Sequence, residues 1–123
     1  DVRGFMVGGA TTPEYVNQSR IEFITMASTG NGTPFGDLSI TTRSGSSAAS
    51  NTRGLLQIGQ SNPLTAGYRR IEFITLSTLG NSQFFGEITT LAKAGSAAVA
   101  SSTRACFMGG VGTIIRQLIN CIK

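Results

Sequence analysis

Arg20-Ile21-Glu22-Phe23-Ile24-Thr25 and Arg70-Ile71-Glu72-Phe73-Ile74-Thr75 are the same six residues, placed 50 positions apart in a chain of 123. The same offset relates Arg3-Gly4 to Arg53-Gly54, Gly30-Asn31 to Gly80-Asn81 and Phe35-Gly36 to Phe85-Gly86. Pairing residues 3–52 with 53–102 leaves 17 identities without a gap, and six of them are consecutive, which chance does not arrange. Internal repetition therefore decides the architecture before any local propensity is weighed. A third copy starts at Arg104, with Gly109-Gly110 echoing Gly8-Gly9. It then loses three residues, so that Ile119-Asn120-Cys121-Ile122-Lys123 falls on Ile71-Glu72-Phe73-Ile74-Thr75. The chain divides into a first repeat over 1–52 that lacks its first strand, a second over 53–102 and a truncated third over 103–123.

Each repeat reads as four short strands. The small-residue run around Ser46 to Ser50 is the first, Arg53 to Ile58 the second, Ile71 to Leu76 the third, and the stretch around Phe85 to Thr90 the fourth. Gly, Asn and Pro clusters separate them, as turns require. Ile21, Phe23 and Thr25 alternate with Glu22, Ile24 and Met26, so both faces of that strand are largely apolar. Such a strand is expected between two sheets. Thr113 to Ile122 alone could pass for a helix, but its register with the repeat makes it a strand.

Composition narrows the function. Charged residues make up 13% of the chain and hydrophobic residues 40%, with 16 Gly, so the sequence suits close-packed sheets rather than disorder. Net charge is +4, yet the basic residues are scattered singly apart from Arg69-Arg70, and no nucleic-acid motif accompanies them. No stretch reaches the ~20 apolar residues of a membrane span. The chain opens at Asp1 rather than at Met, and processing or excision from something longer is expected. Cys106 and Cys121 match no metal spacing and are read as buried free thiols, with a disulfide between neighbouring strands as the alternative.

Four strands in about 50 residues is the period of kelch blades. A kelch blade has a double Gly closing its second strand, where Gly8-Gly9 and Gly109-Gly110 stand and the middle copy keeps Gly59. Ser28-Thr29-Gly30-Asn31 and Phe35 look like the turn and aromatic that follow the third strand, with Phe in place of Trp. The chain resembles kelch-like β-propeller repeats, and more narrowly the phrases Ile-Glu-Phe-Ile-Thr, Ser-Thr-Gly-Asn and Phe-Gly-Asp-Leu are similar to repeat proteins of marine bacteriophages. That resemblance covers essentially the whole chain. It implies an all-β fold of four-stranded antiparallel blades and a non-catalytic structural role in the virion, as a tail or fibre component. Oxidase relatives of kelch propellers hold copper among Tyr and His ligands, and this chain has no His.

An enzyme needs convergent groups. Without His, Ser-His-Asp and Cys-His catalysis are excluded. Four of the six acids form two repeat-equivalent pairs, Glu22/Glu72 and Asp37/Glu87, which is how a structural residue behaves when a blade is copied. No enzyme, cofactor or metal is expected. Arg3, Arg53 and Arg104, the aromatics Phe23, Phe73, Phe35 and Phe85, and Gly9, Gly59 and Gly110 are assigned to the repeated scaffold. The arginines are expected at strand ends, bonded to backbone carbonyls or to acids of the same or the next blade; the competing reading is a ring of cations that holds anionic glycan or phosphate. Loops 10–19 and 60–69 share only Pro13/Pro63, so ligand contact is placed there, at Tyr15, Asn17, Tyr68 and Arg69. Partners are expected to be the rest of a longer propeller chain or other copies of this one, and a host-surface glycan; a carbohydrate-binding propeller lectin is the alternative. Two and a half blades leave raw edges, and the 123 residues are not expected to be a stable monomer.

Overall fold

The computed structural model of the chain describes residues 2–12, 16–61, 69–88, 97–109 and 119–122. These residues form twelve strands and no helix. The first sheet has β1 (Arg3–Val7), β3 (Val16–Thr25) and β4 (Thr33–Arg43) in that order, with β2 (Ala10–Thr11) beside β3 and β7 (Gln60–Ser61) beyond β4. The second is a meander of β5 (Ser46–Ala49), β6 (Arg53–Gln57), β8 (Arg70–Thr75) and β9 (Gln83–Glu87), and the third contains β10 (Ala97–Ala100), β11 (Ala105–Met108) and β12 (Ile119–Ile122). Every pairing is antiparallel. Setting aside the two-residue strands β2 and β7, the sheets supply three, four and three strands, in the pattern the repeat predicts. The sheets do not close into a ring, and a propeller needs four to eight blades.

Register repeats along with sequence. Arg3 faces Thr25 and Phe5 faces Phe23, while Arg53 faces Thr75 and Leu55 faces Phe73. In the third sheet Ala105 faces Ile122 and Cys106 faces Cys121, as the three-residue deletion requires. The third and fourth strands of the first two sheets also share a bulge: Ile21 pairs with Gly36 and Glu22 with Pro34, and Ile71 pairs with Gly86 and Glu72 with Phe84. The extra residue is Phe35 in one and Phe85 in the other. A bulge re-aims the side chain it carries. Phe35 stands edge-on to Phe5 and Phe23, with centroids 5.2 and 6.2 Å away, and Phe85 stands edge-on to Phe73 at 6.3 Å.

The sheets pack face against face. Ile21, Phe35 and Leu38 of the first meet Leu56, Ile58 and Ile74 of the second, and Ile71 and Ile88 of the second meet Ala105 and Phe107 of the third. Ile71 and Ile74, on opposite faces of β8, are both buried because both faces are covered. β5 and β10 are neighbours, and their small side chains are what permits it. Phe35 is buried, whereas Phe23, Phe73 and Phe85 are half-buried. Phe23 and Phe73 thus share one burial class, whereas Phe35 and Phe85 do not.

The cysteines correct the free-thiol expectation. Cys106 is disulfide-bonded, and the only other cysteine of the chain, Cys121, is its register partner on β12. Copying a blade puts these positions opposite one another, where Leu55 and Phe73 sit in the second sheet.

Candidate functional site

Glu72 is the one acidic side chain fully buried among the described residues. It projects from β8 toward β4 of the first sheet. There the Ser39 backbone N–H donates to Oε1 at 3.1 Å and the Ser39 hydroxyl donates to Oε2. From its own sheet Glu72 accepts the Ser82 hydroxyl on Oε1 and the Arg70 Nε on Oε2, the latter at 2.5 Å. Burial alone pushes the carboxyl up, but the Ser39, Ser82 and Arg70 donors outweigh it and hold Glu72 below its usual carboxylate range. A sealed carboxylate with four donors and no contact with solvent is a clamp between sheets rather than an acid or base for a substrate.

The turn after β8 completes this clamp. Gly80 N–H donates to the Phe35 carbonyl and Ser82 N–H to the Asp37 carbonyl, each at 3.0 Å, and Asn81 Oδ1 accepts from the Asp37 N–H at 3.0 Å. The approach is so close that a Cβ on Gly36 would lie 2.1 Å from the Gly80 carbonyl oxygen. Only glycine fits there.

Solvent enters between the sheets at the opposite feature, the tight turns that join β5 to β6 and β10 to β11. A cleft of about 210 Å³ lies between them, lined by Ser50, Thr52, Ser101 and Thr103 and by Arg53 and Arg104. Its counterpart one sheet earlier is lined by Arg3, Ser50, Asn51 and Leu76. Arg3 stacks on the Phe23 ring at 4.4 Å and donates from Nη1 to the Leu76 carbonyl of the second sheet at 2.9 Å. Arg53 stacks on Phe73 at 4.6 Å, and its guanidinium makes no hydrogen bond among the described residues. Its guanidinium donors therefore face the cleft's solvent.

Of the loop residues singled out for ligand contact, Tyr15 and Tyr68 lie outside the described residues. Asn17 sits on β3 opposite Ala10, and its Oδ1 is shielded without a hydrogen-bond partner among the described residues. Arg69 is engaged in the scaffold: its Nε donates to the Ile88 carbonyl at 3.2 Å and its Nη2 lies 3.3 Å from Glu87 Oε2. Asn17 and Arg69 are not brought together. Gly8 and Gly9 adopt positive φ, as the double-Gly position requires, a Cβ on Gly59 would lie 2.5 Å from the Arg43 carbonyl oxygen, and Gly110 lies outside the described residues.

Sequence reasoning missed the partners of Glu72. The available signal was an acid in an otherwise apolar strand, copied with its arginine two residues earlier. Among the described residues no group of three or more His, Cys, Asp or Glu could hold a metal ion. No protein-family model matches the chain, and no curated protein matches it.

Proposed function

We propose that the chain is a non-catalytic structural segment of a phage virion, a tail or fibre propeller whose kelch-like sheets present variable loops for assembly or attachment to a host surface. The observation that carries this reading is the division of labour along each repeat. Repeated residues build the sheet-to-sheet contacts, with Glu72, Gly36 and Phe35 as their centre, while the non-matching stretches 10–19 and 60–69 connect the second and third strands of each repeat, the former running into the start of β3. Scaffolds of this kind tolerate change where binding happens. Exchanging residues 12–15 and 62–68, the parts of these stretches outside the strands, for Gly-Ser sequence should abolish binding to host cells while leaving the melting temperature nearly unchanged; retained binding would reject the assignment.

A carbohydrate-binding lectin is the second reading, and the cleft between the Ser50–Thr52 and Ser101–Thr103 turns favours it. Hydroxyls beside two arginines suit an acidic sugar or a sulfate ester. On a glycan array the chain should then select sulfated or uronate-containing glycans, and Arg53→Ala with Arg104→Ala should remove that selection. Binding that survives both substitutions would exclude the cleft.

A further inference from the structure

The contact between the first and second sheets has two halves. The first sheet contributes an outer strand, Phe35-Gly36-Asp37-Leu38-Ser39. The second contributes Glu72, the apolar residues Leu56, Ile74 and Leu76, and the Gly80-Asn81 turn. Each of these residues has a like counterpart 50 positions earlier, Glu22, Met6, Ile24, Met26 and Gly30-Asn31, while Ser82 and Ile58 of the same half have Gly32 and Gly8. These counterparts lie together on the face of the first sheet that points away from the second.

That face is uncovered. Leu56 and Ile74 are 4% and 2% exposed, whereas Met6, Ile24 and Met26 are 52%, 39% and 62% exposed. Glu72 is sealed, while the Glu22 side chain keeps 35% exposure and bonds only Arg20, at 3.2 Å, among the described residues. Half of a clamp is present: the carboxylate and its arginine, with Gly32 in the place of Ser82 and without the serine of a facing strand.

We propose that this face is a docking surface for another β-sheet of the same repeat, one whose outer strand carries Phe-Gly-acid-aliphatic-Ser/Thr. Glu22 accepts that strand's Ser or Thr N–H and hydroxyl, the Gly30-Asn31 turn pairs with its Phe-Gly-acid backbone, and Met6, Ile24 and Met26 cover its apolar side. The established contact supplies each of these pairings. An intact second copy is the poorer occupant, because its own faces of this kind are taken: Phe35 to Ser39 by its second sheet, and the Ile71 face by its third. The inference rests on the repeat-array part of the proposed function and is independent of its virion or glycan part.

The test places a copy of residues 3–52 directly before Arg3, which reproduces the junction between Thr52 and Arg53. In the added copy Met6 and Met26 are replaced by leucine, so that peptides from the original positions can be told apart. Hydrogen peroxide oxidation, mapped by mass spectrometry, should modify Met6 and Met26 faster than Met108 in the 123-residue chain and about tenfold more slowly in the extended one. Glu22→Gln in the original copy should leave the melting temperature of the 123-residue chain within a degree or two. In the extended chain it should lower it by roughly 5 °C, as the loss of one buried charged hydrogen-bond set does in a small domain. Three outcomes overturn the proposal: an extended chain that melts below the shorter one, Met6 and Met26 that stay equally reactive, or Met6 and Met26 protected in the unextended chain as its concentration rises, which assigns the face to a second copy. Loss of glycan or host-cell binding in the loop variants leaves these readouts unmoved, so the two readings fail separately.

Discussion

Ser39 of the first sheet gives Glu72 of the second both its backbone N–H and its hydroxyl, so one carboxylate holds two sheets whose residues are 33 positions apart. Hydrogen bonds to a buried charge are the stronger kind, and leaving their donors without an acceptor is costly. The pair joins the two sheets whose apolar cluster contains Leu38 and Ile74.

Glu72→Ala should therefore destabilise the chain by about 3 kcal/mol, since it removes the acceptor shared by the Ser39, Ser82 and Arg70 donors and leaves a gap where a sealed side chain stood. Chemical denaturation of the variant and of Ser39→Ala, alone and combined, measures it; the double variant should cost less than the sum.

Acid should act on the same residue. The folded carboxyl lies below its usual value, so the unfolded chain binds the proton first and Glu72 contributes its full stabilisation above the ordinary carboxylate pKa of 4.5. That contribution is lost as pH falls below 4.5 and through the depressed folded value. Unfolding free energy measured from pH 6 down to pH 2 should fall more steeply in the wild-type chain than in Glu72→Gln.

The aromatics should rank by burial rather than by repeat position. Phe35→Ala is expected to cost about 3 to 5 kcal/mol, the half-buried Phe73→Ala about 2, and the exposed Phe84→Ala under about 1. Equal midpoint shifts for Phe35 and Phe84 would contradict the packing described.

Gly36 and Gly86 are repeat-equivalent but differ in surroundings. A Cβ on Gly36 meets the Gly80 carbonyl, and one on Gly86 meets nothing within 4 Å among the described residues. Gly36→Ala should cost about 1 to 3 kcal/mol as overpacking does, and Gly86→Ala should be nearly neutral in a thermal melt.

The disulfide at Cys106 should be detectable as a two-mass-unit gain on reduction, and Cys106→Ser with Cys121→Ser should lower stability by about 2 to 4 kcal/mol. An unchanged mass under reductant would return the pair to free thiols.

Strand identity, strand order and the register of the third sheet were legible in the sequence because a copied blade copies its backbone pairing; Cys121 could be placed opposite Cys106 from the deletion of three residues alone. The role of Glu72 was legible only as a repeated acid. Its donors come from Ser39 and Ser82, which no local pattern ties to it, and Ser82 has Gly32 as its counterpart in the first repeat.

Burial separated residues that repetition had made equal. Glu22 and Glu72, Met6 and Leu56, Gly86 and Gly36 occupy the same positions in their strands, so local sequence assigns each pair one environment. Which member is sealed depends on whether another sheet lies across it, and that is settled by packing between segments distant in the chain. The repeat determined the strands and their pairing because backbone hydrogen bonds follow register; the tertiary structure decided which faces are core, because burial requires a partner sheet that register alone does not supply.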